Sequence, residues 1–426
     1  MSDYQVAVIG AGTAGVMAAV QSARAGARTL LVERSSMLGG TITQASVAFP
    51  GLFHAWGSQV IAGIGWELVS RCVAQGGGTM PDFAAPAHRH WEHQVRINGP
   101  LYGALCDEAV VASGADLLLH TSVAQIGRAG ERWSFRLCTM AGLEGCTADV
   151  IVDCTGDACV ARMAGCAVRQ ASADELQPGS LRYRLGGFDP ADLDWPALQQ
   201  AAQQAVNSGE LRATDLGWDA QKVDVRSFLC APDAQPNHIG GLSAGDARGR
   251  TAMELAGRAS MLRVLRFLQR QKGTQRVTIA HCPAATGVRE TVTIQGRQTV
   301  TAADYTSGRL WDEAVCYSFY PIDLHGSRDG AGLRCEPLSP GVVATVPRGA
   351  LLPRGIANLV VAGRCIASDR LANSALRVQA TCMATGQAAG ALAVLAAMTH
   401  QNVDRVPMAG LGKVLREHGA IVPGPP

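Results

Sequence analysis

The apolar positions of the chain open in a block, not in a helical stripe. Tyr4-Gln5-Val6-Ala7-Val8-Ile9 is short, β-branched and nearly all apolar, which predicts a buried strand. Gly10 to Gly15 interrupt it, and Val16 to Ala25 has the composition of a helix. After Gly26, the run Thr29-Leu30-Leu31-Val32-Glu33 predicts a second parallel strand closed by an acid. Further helices are predicted over 65–74, 101–113, 195–208 and 250–272, and further strands over 116–120, 133–138, 146–152 and 358–363. The stretch 366–377 reads as a loop of small and polar residues, and 378–398 as a long Ala/Gly-rich helix. Strand, helix and strand in close succession predict an α/β fold with a parallel sheet. The strands near 133–138 and 146–152 predict a small antiparallel sheet beside it.

From about Val168 to Gly341 the pattern changes. Asp, Gln, Pro and Trp become frequent, and glycine turns separate irregular runs. A chain of 426 residues suggests two domains at roughly 150 residues each. The expected division is a discontinuous domain, 1–167 plus 341–426, around an inserted α+β domain of 168–340. Apolar residues make up 47% and charged residues 17%, enough apolar content for a large core. A net charge of +2 without a basic block gives no footprint for nucleic acid. The chain runs from Met1-Ser2-Asp3 straight into its first strand, with no secretory signal pattern. Its most apolar stretch, Ala388 to Met398, is about half of a membrane span. A soluble, cytoplasmic protein without a membrane span is therefore expected. Thirteen scattered cysteines, an odd number, point to reduced thiols.

The break after the first strand carries the first chemistry. In Gly10-Ala11-Gly12-Thr13-Ala14-Gly15, Gly10 permits a tight turn, Gly12 lets the main chain approach a pyrophosphate, and Gly15 lets helix and strand pack closely. Thr13 and Ala14 open the helix, whose free N–H groups and partial positive charge suit phosphates. Glu33, followed by Arg34, lies about twenty residues on, where a carboxylate grips ribose hydroxyls and repels a 2′-phosphate. An adenine dinucleotide follows from these residues; NAD and FAD both remain open.

Leu38-Gly39-Gly40-Thr41 adds a second glycine turn, and there the chain begins to resemble FAD-dependent oxidoreductases of the glutathione-reductase-like superfold. Val152-Asp153-Cys154-Thr155-Gly156-Asp157 repeats the strand-to-glycine logic, which in that superfold brings Thr155 and Gly156 to the dinucleotide. Val123, at the start of the preceding strand region, is counted with the cofactor contacts. Asn358 to Arg364 (NLVVAGR) ends another apolar strand at Gly363. The helix after Arg377-Val378-Gln379 would aim its positive end at the flavin pyrimidine. With GVRET at 287–291, YPIDLH at 320–325 and SALRVQATCMATGQAAG at 374–390, most of the chain resembles the family called FAD dependent oxidoreductase, beside the fumarate-reductase and glycerol-3-phosphate-dehydrogenase-like flavoproteins. The resemblance implies a Rossmann-like FAD domain of the glutathione-reductase type, made from both ends of the chain, with an inserted substrate domain. It departs in one place: Arg364 follows Gly363 where many members of the wider superfold carry an acid.

Candidates for the reaction are His325, as the proton-transfer residue, and Arg289, as an anchor for substrate charge. His54 reads as a loop histidine, with a covalent flavin link as the alternative. His88, His90 and His93 cannot share one face of a single element, so no metal is expected. Cys154 and Cys159 have the spacing of a flavin-linked redox disulfide but sit on the return strand, where that spacing reads as coincidence. Arg258, Arg263, Arg266 and Arg270 read as a solvated helix face. No second GxGxxG follows, so a separate nicotinamide domain is not expected and the electron partner stays open, as does a homo-oligomer. The leading expectation is hydride transfer between a small organic substrate and flavin N5. Alternatives are an oxygen-using oxidase or monooxygenase, and a flavoprotein subunit inactive without its partner.

Overall fold

The computed structural model describes residues 2–86, 89–172, 174–219, 221–326 and 333–424. The opening strand, β1 (Ser2–Ile9), leads through the glycine turn into α1 (Thr13–Arg24) and back into β2 (Thr29–Val32). There follow α2 (Ile64–Gln75), α3 (Gly99–Ser113), β3 (Asp116–Leu118), β4 (Ser122–Ala129), β5 (Arg132–Thr139) and β6 (Gly142–Asp153). Beyond them come α4 (Trp195–Asn207), α5 (Ala247–Gln269), β7 (Ile322–His325), β8 (Leu359–Val361), α6 (Arg370–Leu376) and α7 (Gln379–Thr399). The main sheet has the order β3-β2-β1-β6-β5-β4, with β8 also paired to β6. Strands β3, β2, β1, β6 and β8 are mutually parallel, so both faces must be covered by helices, as the unbroken apolar run of β1 anticipates.

The antiparallel pair expected as a separate small sheet is instead part of the main one. Twelve-residue β6 runs parallel to β1 along one edge. Its other edge pairs antiparallel with β5 over 142–148, then parallel with β8 at 151–153. One strand long enough to serve both pairings fuses the two sheets.

Helices α1 and α7 lie against each other with their main chains almost in contact. A Cβ on Gly386 would stand 2.1 Å from the Ala14 carbonyl oxygen, and one on Gly390 2.3 Å from that of Ala18. By length and composition α7 could cross a bilayer, but 83% of its most apolar window is buried inside the protein. The stretch read as a loop contains α6, capped by the Asp369 carboxylate on Ala372 N–H. It is buried on nearly every side, so its residues show no amphipathic period.

Two main cores, with a small third cluster of Ile239, Ala244, Met253 and Val288, organise the described residues. The larger joins β1 through Cys166 to Val292 through Leu415. The smaller lies within 168–340 but covers only Leu181–Val277, gathering α4 and α5; from Val292 the chain packs into the larger core. Arg258, Arg266 and Arg270 are exposed on α5, whereas Arg263 holds the buried Asp215 carboxylate at 2.6 and 3.0 Å.

Candidate functional site

The two glycine turns interlock. Gly10 has φ +91° and donates to the Val32 carbonyl, and Gly39 N–H donates to Ala11 O at 2.9 Å. A Cβ on Gly15 would lie 1.8 Å from Gly10 O, so helix α1 can start here only on glycine. Gly12 caps α1 without a side-chain hydrogen bond, and no acid stands in the first turn. A Cβ on Gly12 would find only the Gly40 Cα within 4 Å, at 3.8 Å, so Gly12 borders open space. An uncapped helix N-terminus facing open space is an anion cradle. Thr13 and Ala14 form its first turn, and Thr41 follows Gly40 at its rim.

Glu33 ends β2 beside this cradle. One carboxylate oxygen accepts from Ala11 N–H at 2.7 Å, the other from the N–H and hydroxyl of Ser35. Its main chain is bound by the Leu118–Thr121 segment, so Val123 follows two residues later on the same flank. Arg34 is exposed. The oxygen that accepts from Ala11 alone keeps a lone pair for a further donor such as a ribose hydroxyl.

On the return strand, Thr155 closes its turn onto Asp153 at 2.7 Å, and Gly156 takes φ +74°. Arg364, just after Gly363, spends its guanidinium on this turn: Nε donates to Gly156 O, Nη1 to Val288 O and Nη2 to Asp157 at 2.5 Å. Its side chain thus ties the return turn to the 287–291 segment. That accounts for an arginine where an acid is usual in the wider superfold.

At the start of α7, Gln379 Nε2 donates to Thr41 Oγ1 at 2.8 Å and to Val47 O, while Val378 packs on Gly51. The two ends of the chain therefore meet at one place. Three buried polar atoms there have no partner among the described residues: Arg377 Nε, Gln177 Nε2 and Gln379 Oε1. Two donors and one acceptor is the complement of the polar pyrimidine edge of a flavin, two carbonyls flanking an N–H. Buried polar groups left unpaired are rare and expensive, so this set fits that ring.

Next to it lies a cluster built from five segments. His325 and Asp323, two apart on β7, share a face, and His325 Nε2 stands 3.4 Å from the Asp323 carboxylate. His325 Nδ1 meets His238 Nε2 at 2.9 Å. Arg377 Nη2 reaches Asp323 at 3.4 Å and Gln177 Oε1 at 3.3 Å. Arg289 donates through Nη1 to Pro178 O and Ser180 Oγ, leaving Nε and Nη2 without a partner among the described residues. Burial and the Arg289 charge push the His325 pKa down to about 4, against the pull of Asp323. Burial, Arg289 and His325 push His238 down to about 2. Burial and Arg377 lower Arg289 to about 9. Burial disfavours the Asp323 charge, but His325, Arg377 and Arg289 outweigh it and hold the carboxyl below its usual range. Both imidazoles are thus neutral at pH 7, in a field of excess positive charge.

Of the anticipated residues, the structure joins Gly10 to Gly15, Gly39 to Thr41, Val378 and Gln379 at the cradle, and His325, Arg289 and Arg377 at the cluster. Gln177, Trp218 and His238 join the cluster from irregular runs that carry no local signal, while Asp323 was visible only as an acid next to a histidine. His54 stacks on Phe83 at 3.7 Å beside Trp66, an aromatic nest in which burial lowers its pKa. His90 and His93 lie in one 3-10 turn, and His88 falls outside the described residues. Among the described residues no three His, Cys, Asp or Glu side chains converge as metal ligands. Cys154 and Cys159 are free thiols.

A family model described as FAD dependent oxidoreductase matches residues 5–415. No curated protein matches the chain. Among solved structures, it is similar to the OxyS anhydrotetracycline hydroxylase from Streptomyces rimosus, at 13% identity and TM-score 0.47, over 98% of this chain and 66% of that one. It is also similar to a geranylgeranyl bacteriochlorophyll reductase-like protein from Thermoplasma acidophilum, at 12% identity and TM-score 0.45, over 98% and 84%. A third is p-nitrophenol 4-monooxygenase PnpA from Pseudomonas putida DLL-E4, at 12% identity and TM-score 0.41, over 98% and 84%. The chain thus spans just under two-thirds of the first of these.

Proposed function

The chain belongs to the FAD dependent oxidoreductase family, and from that premise we propose that it oxidises or reduces a small, negatively charged organic molecule by hydride transfer at flavin N5. The observation that carries this reading is the pair of largely buried guanidiniums, Arg289 and Arg377, set against one carboxylate, Asp323. Among the described residues that leaves an uncompensated positive charge, costly unless an anion completes it. Arg289, with two free donor positions, anchors a substrate carboxylate or comparable anion.

FAD supplies the hydride-accepting ring when bound. The chain's own residues supply the rest. Gly10, Gly12, Thr13, Ala14, Gly15, Gly39, Gly40 and Thr41 would hold the pyrophosphate, Glu33 with Arg34 and Val123 the adenosine, and Thr155, Gly156, Gly363 and Arg364 the middle of the cofactor. Arg377, Val378 and Gln379 would take the pyrimidine. The parallel sheet with a meander continuing from β6 supports the glutathione-reductase type of FAD domain, and the separate Leu181–Val277 core supports an inserted substrate domain.

When a substrate X–H bond gives up its proton as hydride leaves the neighbouring carbon, the proton needs a base. Both His325 nitrogens face protein groups, so the proton reaches it through the Asp323 carboxylate, the more open end.

The test is to purify the protein, record its visible spectrum, and challenge it anaerobically with a panel of carboxylic acids, hydroxy acids and amino acids. Bleaching of the flavin by one of them is expected, and His325→Ala should abolish it while keeping the bound-flavin spectrum. Undiminished bleaching in that variant would sink the assignment of His325. Product formed only with oxygen, or peroxide release, would establish the oxidase or monooxygenase reading instead. Activity only with a co-purifying redox protein would establish the subunit reading.

A further inference from the structure

The two histidines stand in a row closed at both ends by groups that only accept hydrogen bonds. At one end His325 Nε2 faces the Asp323 carboxylate, held ionised by Arg377 and Arg289. In the middle His325 Nδ1 faces His238 Nε2. At the far end the remaining nitrogen of His238 meets the Trp218 main-chain carbonyl. The row has three contacts and so needs three hydrogens. Two neutral imidazoles carry one N–H each, two in all. If His238 donates to Trp218, then His325 donates to His238 and its lone pair is left against Asp323. If His325 donates to Asp323, the reverse order leaves a lone pair against Trp218. Every neutral arrangement leaves one contact unfilled, and one added proton fills it.

We propose that Trp218, His238, His325 and Asp323 form a single-proton store, which accepts the substrate proton as one charge shared by both imidazoles, with His238 as the positioning residue. The claim deepens the hydride-transfer reading above and rests on it only for the source of the proton. The balance is simple: the substrate X–H bond breaks, its hydrogen enters the unfilled contact, its electron pair forms the X=C bond, and the carbon hydride leaves to flavin. The reverse reaction empties the store.

The surroundings set when the store is vacant. Arg289 and Arg377 face it with positive charge, Tyr320 lies beside Arg289, and His90 and Cys335 approach Asp323 from other segments. Burial and Arg289 keep both rings neutral at rest, as a base must be before it accepts. An anionic substrate on Arg289 would offset the charge that most opposes protonation. Substrate binding thereby strengthens the base next to it.

Side-chain ¹⁵N spectra of the FAD-loaded protein, labelled at histidine and without any substrate, test this directly. From pH 8 to the acid limit of the fold, the wild-type pair should take up one proton in one transition that moves both rings together. His238→Gln keeps a donor for Trp218 and an acceptor for His325, so His325 should still gain one proton. His238→Phe removes the acceptor: His325 should then give its hydrogen permanently to Asp323 and show no titration. Two independent one-proton titrations in the wild type, no uptake before unfolding, or identical behaviour of the Gln and Phe variants would overturn the proposal. Failure of every organic acid to reduce the flavin would overturn only the hydride-transfer reading, since the titration needs no substrate.

Discussion

Around Gly12 the protein presents main chain, and around His325 it presents side chains. The cradle is assembled from neighbours in sequence: β1, the first turn of α1, and the Gly39-Gly40 turn bound to Ala11. The cluster draws Gln177, His238, Arg289, Asp323 with His325, and Arg377 from segments up to two hundred residues apart. A main-chain site tolerates no added atom, because its shape is set by the absence of Cβ. A side-chain site tolerates changes of shape but not of charge count. The first should therefore fail by steric exclusion, the second by unbalanced charge or a missing proton.

The sharpest way to break the first is Gly15→Val. Its Cβ would start 1.8 Å from Gly10 O, and overpacking of main chain on main chain exceeds the usual 1–3 kcal/mol or so. Colourless, largely insoluble protein is expected, checked by the 450 nm absorbance of what remains soluble; a yellow, folded variant would refute the close packing. Next comes Arg289→Gln, which removes the free cation but not the fold. It should raise KM for an anionic substrate by about 30- to 100-fold, on the scale of a charge-assisted hydrogen bond of roughly 2–3 kcal/mol, with flavin content unchanged. An unchanged KM would place the substrate anion elsewhere.

Acid stability distinguishes the regions too. His325 is neutral in the fold with its pKa pushed to about 4, and cationic in the unfolded chain below its ordinary 6.5. The unfolded chain then binds more protons, so stability rises with pH across that window and falls as pH drops from 6.5 towards 4. His325 alone contributes roughly 3 kcal/mol to that slope. Urea midpoints at pH 7 and 5 should differ less in His325→Gln than in the wild type; equal slopes would count against the buried neutral ring. Smaller again is Glu33→Gln, which keeps an acceptor for Ala11 but loses the charge; about tenfold weaker FAD retention is expected by dialysis. Smallest is Arg258→Ala on the exposed face of α5, whose 3.7 Å pair with Glu254 should be worth under about 0.5 kcal/mol in a thermal melt.

The same contrast explains what could be read from the chain. Local rules announce the cradle: a glycine spacing, a following helix and an acid at the end of the next strand. Arg289 and His325 stood out as residue types flanked by turns, yet nothing near Asn237-His238-Ile239 marks it as half of a pair. Its partner is set by tertiary packing, which no period in the sequence encodes. Helix α6 was hidden for another reason, since full burial erases the polar face by which a helix is recognised. The merging of two sheets in β6 was invisible because strand length, not composition, decides it.

The contact of α1 with α7 has a consequence for how the protein is made. Helix α7 leaves the ribosome several hundred residues after α1, yet Gly386 and Gly390 pack directly on the main chain of Ala14 and Ala18. The early half of the sheet must wait, with one face bare, while several hundred residues are synthesised. The Leu181–Val277 core, closed on itself, has no such wait and can settle during translation. The pairing of α1 with α7, and with it the contact of Gln379 with Thr41, is thereby deferred until α7 has been made.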